Sequence, residues 1–220
     1  MSVIHQFQGQ MLGLYARITH RTAPLKIEGW EYVTQAMATK RPILFTAWHG
    51  QTHLYIPVFL THVDISGFSF IIVGDHRQKV LEPFTASMGA KALPVSMEDN
   101  SFAGARNVFG LINELRKGMY SLIAPDGPDG PARIAKRGTA FIATRAQAII
   151  LPFAAYSPYA LHMPRWDRYS LPLPFAPIYW SARPPISASR DADHEMLLEE
   201  VTREINIANE QVEAMAKGRK

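Results

Sequence analysis

Cysteine is absent from this chain of 220 residues. Its absence excludes disulfides, thiolate zinc sites and a cysteine nucleophile, and it leaves the cellular compartment open. No apolar run reaches the roughly 18 residues of a membrane-spanning helix, and the first residues lack the pattern of a signal peptide. Charge is also sparse, since 19% of the residues are charged and the net charge is +4. With a pI of about 9.4, this balance suits anionic lipid or phosphorylated ligands and does not indicate nucleic acid.

Apolar segments of strand type and helix type alternate along the chain. The runs ILFTAW, FIIVG and AIILPF are typical of strands buried on both faces. Helical patterns separate them, and the clearest helix is expected between Ser101 and Gly118. The alternation predicts a single α/β domain with a mostly parallel sheet that helices cover on both faces. We assign residues 25–190 to this domain, residues 191–220 to a C-terminal helix packed on it, and residues 1–24 to an N-terminal amphipathic helix.

The N-terminal segment carries apolar residues at helical spacing, followed by basic residues. Such a helix is typical of a membrane surface, and the pattern also fits a helix that packs on the domain core. The aromatic and proline-rich segment 156–180, which contains Trp166 and Trp180, likewise either touches lipid or covers the sheet edge. The apolar stripe of the first segment consists of Ile4, Phe7, Met11, Leu14, Tyr15 and Ile18.

Polar residues follow three of the predicted strands. In a parallel sheet, ligand sites gather at the carboxyl ends of the strands, and here those ends carry AWHG, GDHR and APDGPDGP. The imidazole of His49 titrates in the range that a general base needs. Alternatively, His49, His53 and Asp75 form the zinc site of a metal-dependent hydrolase. Gly50 stands where the metalloprotease motif has glutamate, which disfavours that alternative.

The segment PDGPDGPARIAKRG predicts a rigid loop, because proline and glycine fix a turn without filling it. Arg133, Lys136 and Arg137 stand just before a predicted helix, and a helix N-terminus beside cations attracts anions. A solvated surface loop with ordinary charges is the alternative interpretation. Long loops that follow buried strands more often serve function.

In order and spacing, AWHG, APDGPDGP and AIILPFAAY resemble the lysophospholipid acyltransferase family. The resemblance is greatest to its uncharacterised bacterial branch with Trp-His-Gly and Pro-Asp-Gly-Pro motifs, and it covers about residues 25–187. It implies an α/β acyltransferase fold and transfer of a fatty acyl group from acyl-CoA or acyl carrier protein to a hydroxyl of a lysophospholipid or related lipid. It also implies a role in phospholipid biosynthesis, at the cytoplasmic inner face of the cell membrane. No cofactor beyond the acyl donor and no nucleic-acid partner are implied.

The resemblance assigns roles to individual residues. His49 matches the histidine of the first family motif and is the implied general base, with backbone N–H groups near Gly50 stabilising the oxyanion. Leu54 stands at the motif's aspartate, which relatives in the narrower branch also commonly lack. Asp75 and Asp126 are therefore the candidates for the carboxylate that orients the imidazole. A non-catalytic lipid-binding protein, which kept the fold after losing the aspartate, is a further alternative.

The remaining family motifs concern anion binding and structure. Arg77 matches the arginine of the second motif, and the third motif matches Pro125 to Gly127. Asp129 stands where relatives often have arginine, and Pro152 matches a structural proline. We therefore expect the anionic part of the substrates to be bound by Gly127, Arg77, Arg133, Lys136 and Arg137.

Overall fold

The structure is a computed structural model that describes residues 3–73, 75–95, 102–117 and 120–218. For residues 73, 75–77, 94–95 and 102–107, the structure describes the backbone but not the side chains. The helices are α1 (Val3–Thr22), α2 (Trp30–Ala38), α3 (Thr52–His62), α4 (Asp75–Ser87), α5 (Phe102–Arg116), α6 (Arg137–Ala146) and α7 (His194–Lys217). Short 3-10 helices span His49–Gln51 and Ile65–Gly67. The strands are β1 (Leu25–Glu28), β2 (Ile43–Thr46), β3 (Phe68–Val73), β4 (Lys91–Val95), β5 (Tyr120–Ile123), β6 (Ile149–Tyr156), β7 (Leu161–His162), β8 (Ser170–Leu171), β9 (Ile178–Ala182) and β10 (Ile186–Ser187).

The main sheet has the strand order β1-β9-β6-β2-β5-β3-β4, and β10 pairs with β6. The five strands from β6 to β4 run parallel to one another. Antiparallel pairing occurs where β9 and β10 meet β6, and β1 then runs parallel to β9. The predicted single-domain α/β fold with a mostly parallel sheet is confirmed. The order places β2, the strand before His49, in the middle of the sheet.

Helices cover both faces of the sheet because the central strands are apolar on both faces. In β2, Ile43 and Phe45 join a buried cluster with side chains from α1, α2, α3 and α4. Leu44, which points the other way, joins a cluster with side chains from α5, α6 and α7. Full burial of such a side chain stabilises the fold by roughly 1.5–3 kcal/mol. The two clusters hold the strand rigidly, which fixes the residues that follow it.

The N-terminal helix packs on α4 through its smallest residues. Gly9, Gly13 and Ala16 are buried. A Cβ on Gly9 would lie 2.4 Å from the carbonyl oxygen of Val80, and one on Gly13 would lie 1.9 Å from Oγ of Ser87. Helix α1 therefore packs on the domain through its glycine side, while most of its apolar stripe is exposed. The exposed apolar residues of α1 are Val3, Ile4, Phe7, Met11, Leu14 and Ile18.

Neither α1 nor any other helix within the described ranges is long and apolar enough to cross a membrane.

Candidate active site

His49 begins a 3-10 helix directly beyond the carboxyl end of β2. Its backbone N–H donates a hydrogen bond to Oδ1 of Asp126, 3.0 Å away, in the loop after β5. The preceding Trp48 is buried, and its indole N–H donates to Oδ1 of Asn206 in α7 at 3.1 Å. Gln51, two residues further on, bonds Asn209 of the same helix. The main chain at His49 is thus held by a neighbouring loop and by the C-terminal helix.

The ring of His49 meets a carboxylate from a distant part of the chain. Its Nδ1 lies 2.7 Å from Oδ2 of Asp167, whose side chain is fully buried, while the side chain of His49 is 25% exposed. Asp167 belongs to residues 157–177, which connect β6 to β9 and which we call the flap. A carboxylate accepts, so Nδ1–H donates and the lone pair of Nε2 is left to take a proton.

Asp126, one of the two candidates for the carboxylate that orients the ring, binds the main chain instead. Its Oδ1 accepts from the backbone N–H of His49, and its Oδ2 accepts from that of Arg133, both at 3.0 Å. The residue is 1% exposed. The loop after β5 thus turns this carboxylate toward the main chain and leaves the ring to Asp167. Asp75 begins α4, but its side chain lies outside the described residues, as does that of Arg77.

Two glycines let the flap come this close. A Cβ on Gly50 would lie 2.2 Å from the carbonyl oxygen of Asp167. A Cβ on Gly130 would lie 2.6 Å from Cε3 of Trp166, and Gly130 has a φ of 73°, which other residues rarely adopt. The Trp166 ring is in turn 5.3 Å from the ring of His49. Gly50 therefore has a clear packing role, which its sequence position alone does not reveal.

His53 faces a different partner from His49. Its Nδ1 lies 2.5 Å from the hydroxyl of Tyr169, and its ring stacks on Phe84 at 5.5 Å. Burial lowers the pKa of His53 to about 4, so the ring is neutral near pH 7. The same burial raises the pKa of Tyr169. Within the described side chains no group of three histidine or acidic residues is placed to hold a metal ion, and Asp75 of the hydrolase alternative lies outside that set.

A cavity of about 520 Å³ reaches His49, within the range of about 300–1,000 Å³ that is usual for small-molecule sites. It runs between the carboxyl ends of β3 and β5 and the helices α5 and α6. Beside His49 lies Gly127, where a Cβ would stand 3.1 Å from Cδ2 of the imidazole. Hydrocarbon side chains form most of the wall: Ile71, Ile72, Leu81, Val108, Phe109, Leu111, Ile123, Phe141 and Ile142.

The predicted cationic cluster is divided between two places. Lys136 and Arg137 line the cavity of His49, and the exposed guanidinium of Arg137 pairs with Glu195 at 2.8 Å. Arg133 lines a separate pocket against α7. Its backbone has a left-handed φ of 61° and is bound by Asp126. Of the three predicted cations, Lys136 and Arg137 thus line the cavity that reaches His49, and Arg133 lines a different pocket.

Asp167 was not predicted as a site residue, and Trp166 was predicted only to touch lipid or to cover the sheet edge. Both stand in the run PRWDRY of the flap, which shows no helix or strand period. The one local signal is a lone carboxylate with an arginine on either side and two aromatic residues nearby. That signal does not show that the loop returns to the end of β2.

Comparison with known proteins supports the fold. The crystal structure of the 1-acyl-sn-glycerophosphate (LPA) acyltransferase PlsC from Thermotoga maritima matches 98% of this chain and 84% of its own, with a TM-score of 0.56 and 16% sequence identity. An identity this low shows a shared acyltransferase-like α/β fold alone. An uncharacterised protein of Rickettsia prowazekii (strain Madrid E) is 26% identical over 137 residues, or 62% of this chain and 60% of that protein. The match thus spans about three-fifths of that relative's length. No protein-family model matches the chain.

Proposed function

We propose that the protein is an O-acyltransferase. It moves a fatty acyl group from acyl-CoA or acyl carrier protein to a hydroxyl of a lysophospholipid or a related lipid. The observation that carries this proposal is the position of a histidine, paired with a buried carboxylate, at one end of a largely hydrocarbon cavity. A base beside an apolar slot suits a reaction in which a polar group is joined to a long alkyl chain.

The chemistry needs one base and no protein nucleophile. Nε2 of His49 takes the proton of the acceptor hydroxyl while the oxygen attacks the thioester carbonyl, and a C–O bond forms. The tetrahedral oxyanion then collapses, the C–S bond breaks, and the imidazolium returns its proton to the leaving thiolate. Backbone N–H groups near Gly50, at the start of the 3-10 helix, are proposed to stabilise the oxyanion. General base catalysis contributes roughly 10²–10⁴-fold to such a step.

The cavity suggests where each part of the substrates binds. The hydrocarbon wall between α5 and α6 suits the acyl chain, because burying a CH₂ group stabilises binding by about 0.8 kcal/mol. Lys136 and Arg137 at the polar side suit a phosphate of the donor or the acceptor. Arg77, whose side chain lies outside the described residues, remains a proposed third cation.

We further propose that the protein works at a membrane surface, on its cytoplasmic side. Ile4, Phe7, Met11, Leu14 and Ile18 of the apolar stripe of α1 are exposed, and only Tyr15 of the stripe is half-buried. The flap adds exposed apolar residues, among them Phe175, whose N–H donates to Oγ1 of Thr22 at the end of α1. Arg21 is exposed at the same end of the helix. An apolar face with adjacent cations favours the interface of anionic lipid.

The direct test is to incubate the purified protein with a labelled acyl-CoA, or with acyl carrier protein charged with the same acyl group, and a lysophospholipid. We expect the diacyl product with at least one donor, and a loss of at least 100-fold in His49→Ala. The matched control is His62→Ala, because His62 is exposed at the far end of α3 and its loss should change the rate less than twofold.

The other outcomes separate the alternatives. Equal product from wild type and His49→Ala would show that His49 is not the base. Saturable binding of lysophospholipid without any product would favour a non-catalytic lipid-binding protein. Release of free fatty acid that stops after chelation and returns with zinc would favour the metal-dependent hydrolase of His49, His53 and Asp75.

A further inference from the structure

We infer that Asp167 on the flap is the positioning residue for His49. It performs, from a place 118 residues further along the chain, the task that the resemblance assigns to an aspartate at position 54. The inference rests on the proposed function for its catalytic meaning, and on the geometry of the flap for its physical basis. Asp167 does not contact the reacting atoms, since it acts through the imidazole.

The contacts of Asp167 are few and directed. Its Oδ2 lies 2.7 Å from Nδ1 of His49, and its side chain is fully buried. Its Oδ1 has no hydrogen-bond partner among the described residues and lies 3.4 Å from Nε of Arg165. A buried carboxylate is costly unless it is paired and hydrogen-bonded. The charge is therefore held by the ring of His49 and by one guanidinium.

Position 54 is unsuited to the same task. Leu54 is 2% exposed and belongs to the hydrocarbon cluster beneath α1–α4. An aspartate there would stand in a buried cluster made of apolar side chains. Asp167 of the flap therefore supplies the carboxylate that is missing at position 54. The ring keeps a carboxylate although the family motif is incomplete.

The flap that delivers Asp167 is fixed along its length. Gly50 and Gly130 admit it against the 3-10 helix and against the loop after β5. The hydroxyl of Tyr15 donates to the carbonyl of Pro172 at 2.5 Å, which ties the flap to α1. Trp166 lies over the imidazole at a ring distance of 5.3 Å. A supported carboxylate of this kind holds the ring in productive geometry before the substrate arrives.

The expected effect of Asp167 is on the tautomer of His49. A carboxylate accepts only, so it selects the tautomer with the proton on Nδ1 and leaves Nε2 free to act as the base. In Asp167→Asn the amide also donates, so the opposite tautomer becomes accessible. We expect kcat to fall by about 10²–10⁴-fold with KM changed less than threefold, because tautomer and ring orientation act on the chemical step. Asp167→Glu, which keeps the carboxylate, should retain more activity than Asp167→Asn.

The experiment combines ¹⁵N NMR of histidine-labelled protein with acyl-transfer kinetics. The ring nitrogens of His49 should report the Nδ1–H tautomer in wild type and a shift toward Nε2–H in Asp167→Asn. The control Asp191→Asn, at an exposed carboxylate, should leave tautomer and kcat unchanged. An unchanged tautomer in Asp167→Asn, or a kcat within threefold of wild type, would overturn the inference.

The two readouts distinguish failure of the inference from failure of the proposed function. The NMR measurement requires no turnover. If the wild type shows no acyl transfer, the proposed function is refuted, but the tautomer of His49 still tests the role of Asp167. If Asp167→Asn does not fold, Gly50→Ala provides the second test. Its Cβ displaces the carbonyl of Asp167 and leaves the carboxylate present. The same tautomer shift is expected there, and an unshifted tautomer would count against the inference.

Discussion

Two buried carboxylates bind His49, one through its main chain and the other through its ring. Asp126 binds main-chain N–H groups of His49 and Arg133, whereas Asp167 binds the ring of His49. The first determines where the backbone goes, and the second determines which ring nitrogen is free. Substitutions at the two positions should therefore have different signatures, with stability affected more at Asp126 and turnover more at Asp167.

Asp126→Asn should destabilise the fold. An amide accepts at one end and donates at the other, so one of the two backbone N–H groups would face an NH₂ group and lose its partner. An unsatisfied buried donor costs about 1–3 kcal/mol, and we expect a decrease of about 2 kcal/mol in the free energy of unfolding. Urea denaturation measures it, with Asp191→Asn as the exposed control. A change below 0.5 kcal/mol would contradict the assignment of Asp126 as a backbone anchor.

His53 should make stability depend on pH. Its folded pKa of about 4 lies below the ordinary histidine value of 6.5, so between these values only the unfolded chain takes the proton. Stability is therefore lost as the pH falls from about 6.5 to about 4, by up to about 3 kcal/mol from this residue. Burial raises the pKa of the contacting tyrosines Tyr15 and Tyr169, so they stay neutral in this window.

The measurement is the free energy of unfolding of wild type and His53→Gln at several pH values between 4 and 7. Groups that titrate in both proteins cancel in the difference. We expect the difference curve to rise with pH in favour of the wild type, because only the wild type contains the buried imidazole. A flat difference would show that His53 takes up its proton without unfolding.

The residues of the site were predictable to different degrees. His49 follows an apolar run where a parallel strand should end, so the rule for sheet edges selects it. Asp126 was also found, but sequence could not show that its oxygens would meet backbone rather than ring. Asp167 was not predictable, because an irregular loop has no period from which the direction of its side chains follows.

At the scale of elements, α1 shows what a sequence can predict about a helix and what it cannot. The spacing of its apolar residues predicts a helix, and the helix is present from Val3 to Thr22. The spacing does not show which side meets the protein. Two glycines on the opposite side allow the backbones of α1 and α4 to approach closely, and side chains on the apolar stripe are too large for such an approach.

Gly9→Ala and Gly110→Ala should change stability in opposite directions. Both residues lie inside helices, where alanine is favoured over glycine by up to about 1 kcal/mol. A Cβ on Gly110 in α5 meets nothing within 4 Å, whereas one on Gly9 would lie 2.4 Å from a backbone oxygen of α4. We expect Gly110→Ala to gain about 0.5–1 kcal/mol and Gly9→Ala to lose about 1–3 kcal/mol. Thermal unfolding compares them, and a gain at both positions would contradict the close packing of α1 on α4.

The long elements were predictable because each shows its period over several residues. The central strands are continuous apolar runs. In α5, α6 and α7, apolar residues recur at helical spacing, so that they lie on one face of each helix. The strands β7, β8 and β10 were not predicted, since each has two residues and two residues show no period. Two of these short strands, β7 and β8, pair within the flap that carries Asp167.

At the scale of the whole molecule, the site depends on segments from most of the chain. His49 comes from the end of β2, Asp126 from the loop after β5, and Asp167 from the flap after β6. Helix α7 binds Trp48 and Gln51, which lie on either side of His49 in the chain. The parallel order brings the first two together, as the strand rule predicts. The flap and α7 add contacts that follow from tertiary packing alone.

The exposed stripe of α1 should bind the whole molecule to lipid vesicles. We expect wild type to sediment with vesicles that contain phosphatidylglycerol. Phe7→Ser, which changes a residue 61% exposed, should bind about 5–30-fold more weakly, because inserting such a side chain contributes about 1–2 kcal/mol.

The matched control is Met196→Ser, which removes an apolar side chain 71% exposed on α7 and should leave binding unchanged. Added salt should weaken the binding of all three proteins, because basic residues such as Arg21 contribute electrostatically. Equal losses in Phe7→Ser and Met196→Ser, or no sedimentation of wild type, would show that α1 is not the surface that meets lipid.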